Sequence, residues 1–227
     1  MVTMSTLLSR KILSHRGLWG AGVSPNSEDA LMQALEKGFG VETDLRDSKG
    51  KIGISHDPIL VDKEMVQMKA FENLVEVGKK NKDRGPIALN VKSDGLLDLK
   101  LSETLEGLQN YFLFDMSTPE QVRFARAGLP FSIRISEFET FETSSRITKI
   151  AKPATIWLDG FSSDWYLEKK SWSSIMKHSE KMPVVIVGPE LHGRNPQSVI
   201  KAFLTEADNP NLLLCTDNPG GVLNEGL

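Results

Sequence analysis

Two carboxylates, Glu42 and Asp44, stand two apart in VETDLRD, a run that otherwise alternates like a β-strand. Side chains two apart on a strand share a face, so the pair presents hard oxygen donors side by side. Magnesium takes one or two protein carboxylates and completes its shell with water or substrate phosphate. Magnesium is therefore the expected ion, with calcium and manganese as alternatives. Two of the four histidines close strand-like runs, His15 in SHRG and His56 in SHD. Imidazoles titrate near neutral pH, so two of them can supply a general base and a general acid. Lys92 shares a predicted face with Asn90 in IALNVKS. Arg16, beside His15, carries a planar fork suited to phosphate oxygens. By residue type, this inventory suits metal-assisted chemistry on a phosphate ester. Plainer readings exist: Glu-x-Asp is common on surfaces, a histidine at a strand end is often structural, and Lys92 could simply pair with Glu42 or Asp44.

Positioning such a set requires strands that end together. Nine β-rich runs recur along the chain: KILSHRG, GVETDLRD, KIGISHD, IALNVKS, YFLFDM, FSIRIS, TIWLDG, PVVIVG and NLLLCTD. Between them lie helix-like segments, clearest at SEDALMQALEKG, GLLDLKLSETLEGLQ, TPEQVRFARAG, DWYLEKKSWSSIMKHSEK and PQSVIKAFLTEA. Capping signals agree: Ser27 precedes an acidic first turn, Thr118 is followed by Pro119 and Glu120, and Gly38 and Gly128 fall where helices should stop. Alternating strands and helices imply a parallel sheet covered by helices. With eight or nine strands, the expectation is an α/β fold, a closed (β/α)8 TIM barrel, tighter than the ~250 residues typical of that architecture.

The strand faces sharpen this. Val41 and Leu45 oppose Glu42, Asp44 and Arg46; Ile87, Leu89 and Val91 alternate with Ala88, Asn90 and Lys92; Ile133 and Ile135 oppose Ser132, Arg134 and Ser136; Ile156 and Leu158 oppose Trp157 and Asp159. Under a layer of helices the aliphatic face must point outward. The polar face then points into the barrel, near the C-terminal mouth where catalytic groups of this architecture gather. A solvated face of an antiparallel sheet is the competing arrangement.

The chain has 227 residues, 40% hydrophobic and 25% charged, with no compositional break, so residues 1–227 read as one domain. A net charge of −3 argues against a nucleic-acid partner. No apolar run approaches the ~20 residues of a membrane span, and the start lacks a signal-peptide pattern. Stable membrane insertion is not expected, and the oligomeric state is left open. Cys215, the only cysteine, lies in the apolar run NLLLC and reads as a core residue. A reducing cytoplasm fits this usage.

In order, His15-Arg16-Gly17, Pro25-Asn26-Ser27, Glu42-Thr43-Asp44 and His56-Asp57 resemble the motifs of the glycerophosphodiester phosphodiesterases, a family within the PI-PLC-like phosphodiesterase superfamily. Weaker matches are Asn90-Val91-Lys92, Phe114-Asp115 and Thr216-Asp217-Asn218-Pro219. The likeness spans nearly the whole chain and is most specific in its N-terminal third. It implies a TIM barrel and a phosphodiesterase taking a small soluble phosphodiester. By position, it implies Glu42, Asp44 and Asn90 as metal ligands, His15 and His56 as the acid–base pair, and Arg16 and Lys92 as phosphate ligands. It further implies attack by a neighbouring substrate hydroxyl and a cyclic phosphate. Two departures mark a divergent branch. The family's Pro-Glu-Asn-Thr is Ser24-Pro25-Asn26-Ser27 here, and Asn90 replaces an acidic metal ligand, with Asp115 or Asp159 as conceivable substitutes.

Rival functions are a sphingomyelinase D-like lipid lyase, a non-catalytic binding barrel, and a metal-free isomerase or aldolase using Lys92 as a Schiff-base amine. Carboxylates expected beside Lys92 would favour its charged ammonium form over a nucleophilic amine and so disfavour the last. In GPELHGRNPQ, Glu190, His192 and Arg194 stand at another predicted strand end, either reading a substrate substituent or forming an ordinary polar loop. Trp19 could stack on a ligand, and Trp157 shares a face with Asp159.

Overall fold

The computed structural model describes residues 3–59 and 64–227. Its strands, in chain order, are β1 (Ile12–His15), β2 (Gly40–Ser48), β3 (Lys51–Ile54), β4 (Ile87–Val91), β5 (Tyr111–Phe114), β6 (Ser132–Ile135), β7 (Thr155–Leu158), β8 (Val184–Val187) and β9 (Leu212–Thr216). Eight of them pair side by side in the order β5-β4-β2-β1-β9-β8-β7-β6, and every pairing along this path is parallel. The ends of that row meet: Leu113 and Phe131 form a parallel bridge, and the Leu113 N–H donates to the Pro130 carbonyl at 2.9 Å. Helices fill the connections. The chain is a (β/α)8 barrel.

All nine strand-like runs are strands, but β3 is not a stave. It folds back antiparallel on the second half of β2, pairing Leu45 with Ile54 and Ser48 with Lys51. Lys49 and Gly50, both at positive φ, make the tight reversal. His56 follows this hairpin, two residues beyond β3, and its side chain is about half exposed.

The face assignments hold. Val41, Leu45, Ile87, Leu89, Ile133, Ile156 and Leu158 belong to the large buried layer between sheet and helices. Leu13, Ala88, Phe112, Phe114, Trp157, Val185, Leu213 and Cys215 form a separate cluster inside the barrel. Phe114 and Trp157 stack with centroids 4.0 Å apart, and Cys215 is buried among these side chains, its thiol pushed up by burial first and then by the surrounding carboxylates. The interior below the mouth is a packed plug rather than a pore.

Helix 28–36 starts as expected: the Ser27 side chain accepts from the Ala30 N–H, and Glu28 and Asp29 occupy the first turn. Helix 118–126 is capped by Ser117 rather than Thr118, because Pro119 takes an early helical position and the Ser117 hydroxyl reaches the Glu120 N–H. The segment 96–105 is split at Lys100, whose positive φ breaks a 3-10 turn from a short α-helix. The longest helix, Glu64–Lys80, was not expected. Its buried Ala70, Phe71, Leu74 and Val75 do follow helical spacing, but charged residues and Gly78 dilute the pattern. Among the described residues, no helix is long and apolar enough to cross a membrane.

Candidate active site

Strand register brings the polar residues together. His15 pairs with Glu42 across β1 and β2, and Asp44 pairs with Asn90 across β2 and β4. Each lies at or near a C-terminal strand end and on the inward face. Six of the seven residues singled out from the sequence, His15, Arg16, Glu42, Asp44, Asn90 and Lys92, line a single cavity of about 140 Å³. Asp115, Asp159 and His192 line its other side, and Phe114 and Trp157 also contribute to the wall. This volume has room for a phosphoryl group and a few attached atoms.

The turn after β1 is built to hold this geometry. Arg16 adopts a left-handed backbone, φ 56°, and Gly17 follows at φ 82°. A Cβ on Gly17 would lie 2.5 Å from the backbone of Ala30, so only glycine lets the turn pack on helix 28–36. The Arg16 N–H bonds the Glu42 carbonyl at 2.9 Å, and the Asn26 N–H bonds the Arg16 carbonyl at 2.9 Å. The Asn26 amide in turn donates to Asp44 at 2.8 Å and accepts from the Thr43 hydroxyl at 2.8 Å. Pro25-Asn26-Ser27 thus positions Asp44 from one side and caps a helix on the other.

His15 donates from Nδ1 to Asp217 at 2.7 Å. A carboxylate can only accept, which fixes the tautomer and leaves Nε2 facing Glu42, 3.7 Å from Oε2. Burial pulls the imidazole down, but the Asp217 hydrogen bond and the Glu42 and Asp217 charges outweigh it, against Arg16, and hold it above its ordinary value. Asp44, almost fully buried, lies 3.4 Å from both Arg16 Nε and Lys92 Nζ. Lys92 therefore does form the ion pair that was its plainer reading, while still lining the cavity.

Glu42 is different. It is 2% exposed, and burial first, then the Asp44 charge, pushes its carboxyl up to about 7 despite His15, Lys92 and Arg16. Oε1 accepts only a long 3.4 Å bond from the Asn90 amide. Glu42 Oε2 and Asn90 Oδ1 are buried and have no protein hydrogen-bond partner. Two unpartnered oxygens beside a buried carboxylate pair fit a hard cation, which would satisfy both and relieve the repulsion. The donor set is two carboxylates and an amide. Among the described residues, no group of three or more His, Cys, Asp or Glu side chains is disposed to hold a metal ion. Asp115 and Asp159 each already engage one carboxylate oxygen elsewhere: Asp115 Oδ1 accepts from Arg134 at 2.6 Å, and Asp159 Oδ1 from His192 at 2.7 Å.

His56 stands apart. It is bonded to Asp57 at 3.0 Å, is about half exposed, and lines an adjoining cavity of about 590 Å³ with Arg16, Asn26 and Gln67. Arg16 is common to both cavities. Two features carried little signal in the sequence. Asp217 belongs to a weak motif with no role attached, and its pairing with His15 spans the whole chain. The loop after β8 brings His192 into the main cavity, which residue type alone does not foretell.

No family model matches this sequence, and no curated protein is similar to it. Among solved structures, the chain is similar to a phosphodiesterase from Oleispira antarctica, determined with its product sn-glycerol-3-phosphate, with TM-score 0.60, 15% identity, and coverage of 97% of this chain and 98% of that one. A putative aldo-keto reductase from Pseudomonas aeruginosa covers 97% of this chain and 79% of its own at 15% identity, with a TM-score of 0.35 that carries no argument. At this identity the first likeness establishes the shared barrel over nearly the full length of both chains.

Proposed function

We propose that this protein is a metal-dependent phosphodiesterase acting on a small phosphodiester of the glycerophosphodiester type. The observation that carries the reading is the convergence, on one cavity, of the His15–Asp217 dyad, two cationic side chains and a buried carboxylate pair with unpartnered oxygens. The similar barrel from Oleispira antarctica, whose product is a phosphate monoester of glycerol, supports the same substrate class.

Glu42, Asp44 and Asn90 would hold the ion, magnesium by preference for an all-oxygen set, with calcium or manganese as substitutes. When bound, it supplies positive charge to oxygens of the phosphoryl group. Arg16 and Lys92, one on each side of Asp44, face the same space and stabilise the charge that grows on those oxygens in the transition state. His15 Nε2 takes the proton of the attacking oxygen, and Asp217 keeps the ring oriented and stabilises the imidazolium. The attacking group is a substrate hydroxyl beside the phosphoester, giving a cyclic phosphate that water then opens. A second imidazole must protonate the departing alkoxide, and His56 is the partner suggested by the motif order.

The test is release of glycerol phosphate or free alcohol from a panel of glycerophosphodiesters with magnesium, calcium or manganese. Turnover should fall by about 10²–10⁴-fold in His15→Ala, the usual range for removing a general base. No turnover of any diester with any of the three ions would reject the reading.

A further inference from the structure

His15 is not the only imidazole–carboxylate dyad at the cavity. His192 and Asp159 form another, and the structure leaves His56 in a different cavity. We propose that His192, held by Asp159, is the second acid–base group of the site and hands the proton to the leaving oxygen. The proposal rests on the phosphodiesterase reading above and names the partner that His15 needs.

The dyad is built, not incidental. Asp159 follows β7, is 5% exposed, and accepts at 2.7 Å from His192 Nε2 and at 2.8 Å from the Gly160 N–H. Because the carboxylate can only accept, Nε2 carries a proton and Nδ1 is the nitrogen available to a ligand. The ring packs against Phe161 with centroids 5.1 Å apart.

Its loop is bolted at both ends. Glu190 accepts from the Thr216 hydroxyl and, at 3.2 Å, from the Asp217 N–H, so the segment carrying His192 is tied to the segment carrying the His15 partner. Arg194 binds the Asp164 carboxylate and the Gly160 carbonyl on the other side. Such ties are what a proton-transfer group needs to hold its geometry. They also give Glu190 and Arg194 a positioning task rather than contact with substrate.

The chemistry balances with two imidazoles. In ring closure, the substrate hydroxyl gives its proton to His15 Nε2 as its oxygen bonds to phosphorus. The bond from phosphorus to the leaving oxygen breaks, and that oxygen takes the electron pair and the Nδ1 proton of His192, leaving as an alcohol. In ring opening, water gives a proton to His192 and the ring oxygen takes the proton stored on His15. Both side chains return to their starting states.

Leaving groups distinguish a proton donor from a structural residue. Glycerophosphocholine and the p-nitrophenyl ester of glycerol 3-phosphate, which keeps the neighbouring hydroxyl, would be assayed with magnesium on wild type, His192→Gln, Asp159→Asn and His56→Gln, with folding checked by thermal melts. An alkoxide needs a proton to depart and a nitrophenolate does not. His192→Gln is expected to lose 10²-fold or more on the choline ester and less than about fivefold on the nitrophenyl ester. His56→Gln should show no such split. Equal losses on both esters in His192→Gln, no loss on either, or the split appearing in His56→Gln instead, would overturn the assignment while leaving the phosphodiesterase reading intact. A folded wild type that turns over neither these esters nor any other diester of the panel, with magnesium, calcium or manganese, would overturn the two together.

Discussion

Glu42 sits in a site that penalises its own charge, and that penalty can be measured. Its carboxyl is raised from 4.5 to about 7, chiefly by burial and then by Asp44. Each pKa unit corresponds to about 1.4 kcal/mol, so ionised Glu42 costs the folded chain roughly 3 kcal/mol once the pH is well above 7. The sign follows from the folded value lying above the unfolded one. The folded state binds the proton more tightly, so this group is harmless below pH 4.5 and stability is lost as pH rises through 7. Glu42→Gln keeps the shape and removes the ionisation. Metal-free Glu42→Gln should therefore melt close to wild type at pH 5 and well above it at pH 8.5. For a chain of this size, that difference is roughly 6–12 °C. Added magnesium should raise the wild-type melting temperature at pH 8.5 and leave Glu42→Gln unmoved. Differential scanning fluorimetry with a chelator and with magnesium reads all four conditions. A gap between the two proteins that is the same at pH 5 and pH 8.5 would refute the reasoning about Glu42.

Asn90→Asp adds a third carboxylate beside Glu42 and Asp44, and calorimetry should show magnesium binding tightened by about tenfold through the extra ligand charge; weaker binding would mean Asn90 is not a ligand. Asp217→Asn removes the charge, and with it the charge-assisted hydrogen bond, that hold the His15 imidazole up, so the acidic limb governed by His15 should move to lower pH and kcat should fall by about 10²-fold, with KM little changed. An unshifted pH profile would count against the dyad. Gly17→Ala places a methyl 2.5 Å from the Ala30 backbone at a left-handed position, which should cost about 2–4 kcal/mol by chemical denaturation; a cost under 0.5 kcal/mol would contradict the packing described for the turn after β1.

The fold was legible because the strands carry two opposite messages on two faces. Val41 and Leu45 against Glu42 and Asp44, or Ile156 and Leu158 against Trp157 and Asp159, make sense only with helices outside and a polar mouth inside. Helix 64–80 was less legible because its apolar residues are spread among charges and its partners are remote. Thr118 was misplaced as a cap by one residue, since Ser117 and Thr118 offer the same hydroxyl and only the backbone decides between them. In the site, short-range spacing sufficed for Glu42, Asp44, Asn90 and Lys92, which share faces of adjacent strands. It could not locate His56, because an antiparallel excursion such as β3 reads locally like any other strand. Nor could it pair His15 with Asp217 or Asp159 with His192, since these contacts arise from barrel closure and from a loop whose path depends on Glu190 and Arg194.

The most direct test of the site is diffraction from crystals soaked with manganese and glycerol 3-phosphate, recorded for anomalous signal. The account predicts a manganese peak ligated by Glu42, Asp44 and Asn90, with the phosphate beside it and in reach of Arg16 and Lys92. A phosphate bound away from this cavity, or manganese ligated by other side chains, would contradict it.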